Sequence, residues 1–254
     1  MSKRFVSYGK CFLCGGTFAK NVITRHLKTC PARQEAIAQE AQAGAGKPVR
    51  LFHLQAEGRY YPEYWLHFEM PANALLEDLD DFLRNIWLEC CDHLSAFTIR
   101  GVSYELDTGM VDAMWKDIFG PSRPTRNMDV RLSSVLQVGE QFAHEYDFGT
   151  TTELKLKVVA EREGTRPKGD VRILARNYAP DYRCVTCGQP ARYLYVYEAP
   201  YQPYCKRHAR EHDEGILPLV NSPRTGECGY TGPGKKALEF EERMPAPETS
   251  SPSS

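Results

Sequence analysis

No stretch of this 254-residue sequence approaches the roughly 20 consecutive apolar residues that a membrane-crossing helix needs. That argues against a membrane partner. The opening, Met1 to Lys10, is polar and basic and has no apolar core of a secretory signal, so a cytoplasmic location is expected. Bulk charge is missing too. At a net charge of -1, the overall field of the chain cannot recruit a polyanion. Nor is the cysteine count even. Nine thiols in a chain read as cytoplasmic argue against a disulfide framework, because cytosolic thiols stay reduced. Residues 1–34, finally, contain no Asp or Glu, although Lys3, Arg4, Lys10, Lys20, Arg25, Lys28 and Arg33 lie there. Acids dominate from Leu51 to Met110. A basic head before an acidic body suggests two modules with different partners.

Six of the nine cysteines fall into two groups with metal-ligand spacing, each completed by a histidine. Cys11-Phe-Leu-Cys14 puts two thiols on a tight turn, helped by Gly15 and Gly16. His26 and Cys30 follow, four apart and therefore on one face of a helix. Phe18, Ile23 and Leu27 supply the small apolar cluster that such a unit needs. The second group pairs Cys184-Val-Thr-Cys187-Gly188 with Cys205 and His208, whose spacing suits the first turn of a helix running through Glu211. Between them Tyr193, Tyr195 and Tyr197 alternate with Leu194 and Val196 as a strand. Four soft or borderline ligands in each group point to zinc, hence to two Zn(2+) ions. The first group resembles a ββα zinc finger with a cysteine in the last ligand position. The second resembles a zinc ribbon or treble clef. Both fill all four positions with protein ligands, which marks a structural ion and leaves no place for an activated water.

Lys20, Arg25 and Lys28 are the candidate nucleic-acid contacts of the finger. Fingers of this type read bases from positions around the helix start, which would be Ala19, Val22 and Arg25. Alanine and valine offer no hydrogen bonds to base edges. Non-specific nucleic-acid contact and protein docking both stay open.

The organisation follows from composition and period. Residues 1–43 form the finger and a helical extension, Pro31 to Gln42, closed by a Gly44 to Pro48 linker. In the main body, 49–163, Leu51 to Glu57 and Trp65 to Met70 alternate as strands. Asn73 is the expected N-cap of a long helix whose apolar face runs from Leu75 to Trp87. Leu94 to Ile99 and Val102 to Leu106 read as a hairpin about Arg100-Gly101, and Gln141 to Phe148 and Glu153 to Glu161 as two more strands. Pro121 and Pro124 make Gly120 to Asn127 a loop, and Ser133 or Ser134 opens a short helical turn. One long amphipathic helix among antiparallel strands is an α+β domain. Residues 178–232 carry the second metal group and a glycine-rich loop, and 233–254 read as a disordered tail.

Alternation puts His144 and Asp147 on opposite strand faces, so they do not form an acid-base pair. Asp147 is expected to hydrogen-bond the turn backbone at Asp147-Phe148-Gly149. Cys228 lies between Gly226 and Gly229, near Arg224, and a thiolate beside cations can act as a nucleophile. No histidine is near it in sequence. Asn221 to Arg224 can bind an anion through loop amides and Arg224, and Cys90 and Cys91 read as core or near-core residues.

The stretch Phe142 to Gly149, sharpest at Tyr146-Asp147-Phe148-Gly149, resembles the plasmid pRi-A ORF-three-like domain family, whose members are also labelled insertion-element passenger proteins of TnpR type. The likeness spans Val49 to Glu163, and Leu217 to Gly232 is similar to a subgroup of that family. Typical members continue with Asp, Trp and His at places held here by Thr150, Thr152 and Leu154. The resemblance implies an α+β fold and a link to mobile elements, and no settled activity.

The expectation is therefore a zinc-binding, non-catalytic binding or adaptor protein that contacts nucleic acid or another protein. The alternative is a hydrolase or transferase with a site between the Tyr146 to Gly149 turn and the Asn221 to Tyr230 loop. Tyr146, Asp147, Asn221, Arg224 and Cys228 would line that site.

Overall fold

Residues 6–43, 47–106 and 125–233 are described by a computed structural model. The first three residues of the expected linker, the proline-bearing part of the expected 120–127 loop and all but the first residue of the expected tail lie outside them.

The chain opens with β1 (Tyr8–Cys11), β2 (Thr17–Ala19), α1 (Lys20–Thr29) and α2 (Pro31–Ala43). Cys30 breaks the two helices apart. It precedes a proline, whose ring disfavours the helical conformation there, and it takes φ -62 and ψ 115 instead. A long hairpin follows, β3 (Val49–Gly58) and β4 (Trp65–Pro71), then α3 (Leu76–Leu83). Next come β5 (Ser95–Ile99), β6 (Val102–Glu105), β7 (Thr125–Asn127) and the single turn α4 (Leu132–Val135). The strands β8 (Gln141–Tyr146), β9 (Thr152–Gly164) and β10 (Arg172–Asn177) complete one ten-stranded sheet. Its order is β2-β1-β10-β4-β3-β9-β8-β5-β6-β7. Every neighbouring pair is antiparallel except β6 with β7. The fold is α+β, as expected.

Three local expectations need correction. The helix after β4 is shorter than its apolar periodicity suggests, because Arg84–Leu88 widens into a π-helical turn in which the Glu89 N–H bonds the Arg84 carbonyl at 2.8 Å. Its cap is at Leu75, not Asn73: the Asp78 carboxylate accepts the Leu75 N–H at 2.7 Å. Thr125 to Asn127, read as loop, pair with Ser103 to Glu105 as β7.

Strand β4 is buried at every residue. Leu66, Phe68 and Met70 enter the main core with Leu79, Leu83 and Trp87 of the helical segment. Trp65 on the opposite face packs with Ile23 and Leu27 of α1 and with Leu174. His67 and Glu69, also on that face, meet Thr24 of α1 and Arg33 of α2. The N-terminal helices are thus docked on the body, and β1 extends the same sheet by pairing with β10.

The C-terminal part forms a second sheet, β12-β11-β13, from β11 (Tyr193–Tyr195), β12 (Gln202–Tyr204) and β13 (Ile216–Pro218). The chain then returns to the large sheet. Arg176 Nη2 donates to the Asn221 carbonyl at 2.8 Å, and Ser222 Oγ donates to the Trp87 carbonyl at 2.6 Å. These two bonds tie the 221–230 loop to β10 and the helical segment, and Arg224 joins it to the β8–β9 turn through Thr150 and Asp147. No helix among the described residues is long and apolar enough to cross a membrane.

Candidate metal centres

Three groups of cysteine and histidine side chains converge among the described residues, each with its four donor atoms within 4.8 Å of one another. All three can hold a metal ion. With bonds of about 2.3 Å to sulfur and 2.0–2.1 Å to nitrogen, neighbouring donors of a tetrahedral ion sit about 3.5 Å apart.

The first group is Cys11, Cys14, His26 and Cys30. Its turn closes through the Gly15 N–H on the Cys11 carbonyl at 2.8 Å, and Gly15 has φ +75, a conformation that glycine adopts without strain. Cys14 Sγ lies 3.4 Å from His26 Nε2, and the His26 ring stacks on Phe18 at 3.7 Å between centroids. Burial pushes the Cys11 thiol up to about 11 against the backbone N–H groups of Cys14 and Leu13, which lower it, and the Cys14 thiol adds to the rise. Burial lowers His26, which favours the neutral, ligating imidazole. A divalent cation reverses the cysteine preference by stabilising the thiolate.

The second group is Cys184, Cys187, Cys205 and His208. The His208 Nδ1 is 3.3 Å from Cys184 Sγ and 3.4 Å from Cys205 Sγ, and Cys187 Sγ is 3.8 Å from Cys205 Sγ. Nε2 of the same ring is left to Glu211, 4.0 Å away, in the place where a ligating histidine commonly finds an orienting carboxylate. The Cys184 thiol drops to about 5. Burial opposes this, but backbone N–H groups of Cys205, Cys187 and Thr186 and the His208 ring outweigh it. Cys205 is lowered as well, whereas at Cys187 the Gln189 backbone N–H is outweighed by burial and the neighbouring thiols, which raise it.

The third group, Cys90, Cys91, His93 and Cys228, is absent from the sequence reading. Of the two expected core or near-core residues, Cys90 is half-buried and packs against the main core, whereas Cys91 is exposed. Cys228 looked solitary. His93 Nε2 lies 3.2 Å from its sulfur, across 135 residues of sequence. The available signal was the donor density of Cys90-Cys91-Asp92-His93 itself.

The remaining candidates divide. Tyr146 is buried, its hydroxyl donating to Glu89 at 3.0 Å and accepting the N–H groups of Cys90 and His93 at 3.3 Å. Asp147 does bond its own turn, at Gly149 N (3.0 Å) and Thr150 N (3.3 Å), and it also pairs with Arg224. Asn221 is not part of this group, since its side-chain oxygen accepts from Asn177 of β10 at 2.7 Å. In the finger, Lys20 is tied to Glu57 at 2.8 Å, whereas Arg25 and Lys28 are exposed. His144, set aside as a partner of Asp147, instead holds the buried Asp80 at 2.6 Å. A cavity of about 1070 Å³ lies between the finger turn at Phe12 and Gly15 and the α3 residues Asp78 and Phe82, away from the Tyr146 turn and the 221–230 loop.

No family model matches the chain, and no curated protein matches it. Among solved structures, the chain is similar to a protein of unknown function from Methanosarcina mazei Go1, at 15% identity and a TM-score of 0.39. That alignment covers 48% of this chain and 66% of the other.

Proposed function

We propose that this chain is a zinc-stabilised binding or adaptor protein with no catalysis at the two metal centres that its sequence announces. The observation that carries this reading is the convergence of four protein donors in each. A catalytic zinc keeps one position for water or substrate, and a structural zinc does not. Zinc rather than another ion follows from three thiols and one imidazole in each group.

The partner surface is the outer face of α1. Arg25 and Lys28 project there, without base-reading groups at Ala19 and Val22. Contact with nucleic acid would then be to phosphates, sequence-independent and steeply salt-sensitive. The resemblance to the plasmid pRi-A ORF-three-like family supports a setting in mobile elements. The test is filter binding to duplex and single-stranded DNA and RNA at two salt concentrations, with zinc content measured alongside. Charge reversal at Arg25 and Lys28 should weaken binding while zinc is retained. Full zinc occupancy without binding at low salt would reject nucleic acid and leave a protein partner.

A second reading, a hydrolase or transferase at the Tyr146 turn and the 221–230 loop, is favoured by one observation. Cys228, His93, Asp147 and Arg224 do come together there. Rapid alkylation of Cys228 below pH 7 in metal-replete protein would support it, and an unreactive Cys228 would reject it.

A further inference from the structure

The third cysteine-histidine group sits where three segments meet: the loop leaving the π-helical turn, the β8–β9 turn, and the glycine-rich loop around Cys228. We propose that Cys90, Cys91, His93 and Cys228 form a third zinc centre, solvent-reachable, that fastens the C-terminal loop to the end of the helical segment. This rests on the zinc reading of the other two groups and extends it.

The donor set is the same as theirs, three thiols and one imidazole. The 3.2 Å between His93 Nε2 and Cys228 Sγ resembles the nitrogen-sulfur separations of 3.4 and 3.3 Å in the first two groups. The backbone is also bent to bring the donors together. Asp92 and Cys228 hold φ of 57 and 44, a left-handed conformation that is uncommon for residues other than glycine, and more so for cysteine than for aspartate.

Behind the donors lies a fixed outer layer. Glu89 accepts the Asp92 N–H at 2.6 Å, and Tyr146 accepts those of Cys90 and His93, so the 89–93 loop is held from below. Arg224, fully buried, donates to Cys90 Sγ at 3.4 Å and to Thr150 and Thr152 at 3.0 Å. Three thiolates around a divalent ion carry one net negative charge, and Arg224, paired with Asp147 at 2.6 Å, turns the same nitrogen toward the Cys90 sulfur. Outer-layer partners of this kind orient ligands and tune a metal.

The same geometry disfavours a catalytic triad. In a triad the imidazole uses one nitrogen for the nucleophile and the other for the carboxylate. Here the same atom, His93 Nε2, faces both Cys228 at 3.2 Å and Asp147 at 3.6 Å. A metal-ligating nitrogen accounts for that convergence better than a base does. The first two groups each hold two buried donors beside one exposed thiol, whereas here Cys91 and Cys228 are exposed and Cys90 and His93 half-buried, so this ion meets solvent and exchanges first.

The experiment is native mass spectrometry of the full chain, purified under reducing conditions and reconstituted with zinc, for the wild type, Cys228→Ser and Cys91→Ser. Folding of each variant is checked by far-UV circular dichroism. Three ions are expected in the wild type and two in each variant. A chromogenic chelator should remove one wild-type ion fast and two slowly, and the fast phase should vanish in both variants. With cobalt(II) in place of zinc, about one third of the thiolate-to-metal absorption should disappear, since each group supplies three sulfurs. Two ions in the wild type, lost only on His26→Ala or Cys187→Ser, would overturn this proposal and leave the two-zinc reading standing. Three ions retained in both serine variants would overturn it as well. No zinc in any form would reject both.

Discussion

Oδ2 of Asp147 lies 2.6 Å from Nη2 of Arg224, joining the turn after β8 to a loop 77 residues further along the chain. The Arg224 guanidinium is shut from solvent and lies 4.8 Å from the centre of the Tyr146 ring. Burial would raise the Asp147 carboxyl. Hydrogen bonds from Thr150, Arg224 and the Gly149 N–H win instead and hold it well below the usual carboxylate range. The pair is the electrostatic anchor of the C-terminal loop.

Arg224→Met removes the cation and leaves Asp147 mostly buried without it. Breaking a buried ion pair on one side costs about 3–5 kcal/mol. Urea unfolding of zinc-replete protein should show a loss of that order, with part of it recovered in the Asp147→Asn/Arg224→Met double variant. A loss no larger than an exposed pair produces, under about 1 kcal/mol, would show that the anchor is not one.

Glu69 sits beneath α2 with 1% of its side chain exposed, accepting from Arg33 at 2.7 Å and from Arg162 at 2.8 and 2.6 Å. Burial works against its ionisation, and those two guanidinium groups overcome it, lowering its pKa. Glu69→Ala should cost at most about 3–5 kcal/mol, because two half-buried cations lose their common buried partner while Arg162 keeps Glu40 at 3.1 Å. Hydrogen exchange should quicken first in α1 and α2, where Arg33 ties the N-terminal helices down. Equal quickening in β8 would mean that these helices are not held by this contact.

Acid should weaken the same junction. His53 Nε2 and His67 Nδ1 are 3.0 Å apart in the interior, and His67 Nε2 reaches Thr24 of α1 at 3.4 Å. Burial, then nearby Arg33 and Lys28, pushes His53 down to about 3, and burial with the facing His53 puts His67 well below its usual value. Both rings are neutral when folded and take up protons on unfolding. Stability from this pair is therefore complete above about pH 6.5, the ordinary histidine value, and falls as pH drops below it. The slope approaches about 1.4 kcal/mol per pH unit for each proton taken up. A His53→Gln/His67→Gln variant should show a flatter pH dependence between 7.5 and 5.5. An unchanged slope would assign acid sensitivity elsewhere.

How far the sequence could be read depended on the range over which each feature is specified. Cys11 to Cys30 and Cys184 to His208 are short segments whose donor spacing is visible locally, and the structure brings each set together. β9 was readable for a similar reason: Leu154, Leu156 and Val158 are buried, while Lys155 and Lys157 are exposed. β4 was not readable in full. Alternation showed that one face was buried, but His67 and Glu69 are buried because the finger covers the other face, a tertiary choice. The π-helical turn at Arg84–Leu88 preserves an apolar face, so periodicity could not register it. Cys228 and His93 meet through folding alone, and a scan for local spacing could not pair them.

Zinc K-edge X-ray absorption on the purified, reduced chain measures what surrounds the ions. Closed structural centres predict an average first shell of about three sulfurs near 2.3 Å and one nitrogen near 2.0–2.1 Å, with no oxygen. That spectrum should be unchanged by an added zinc-binding anion. A shell rich in oxygen or nitrogen, or one that shifts when the anion is added, would mean an open coordination site and would contradict the non-catalytic reading.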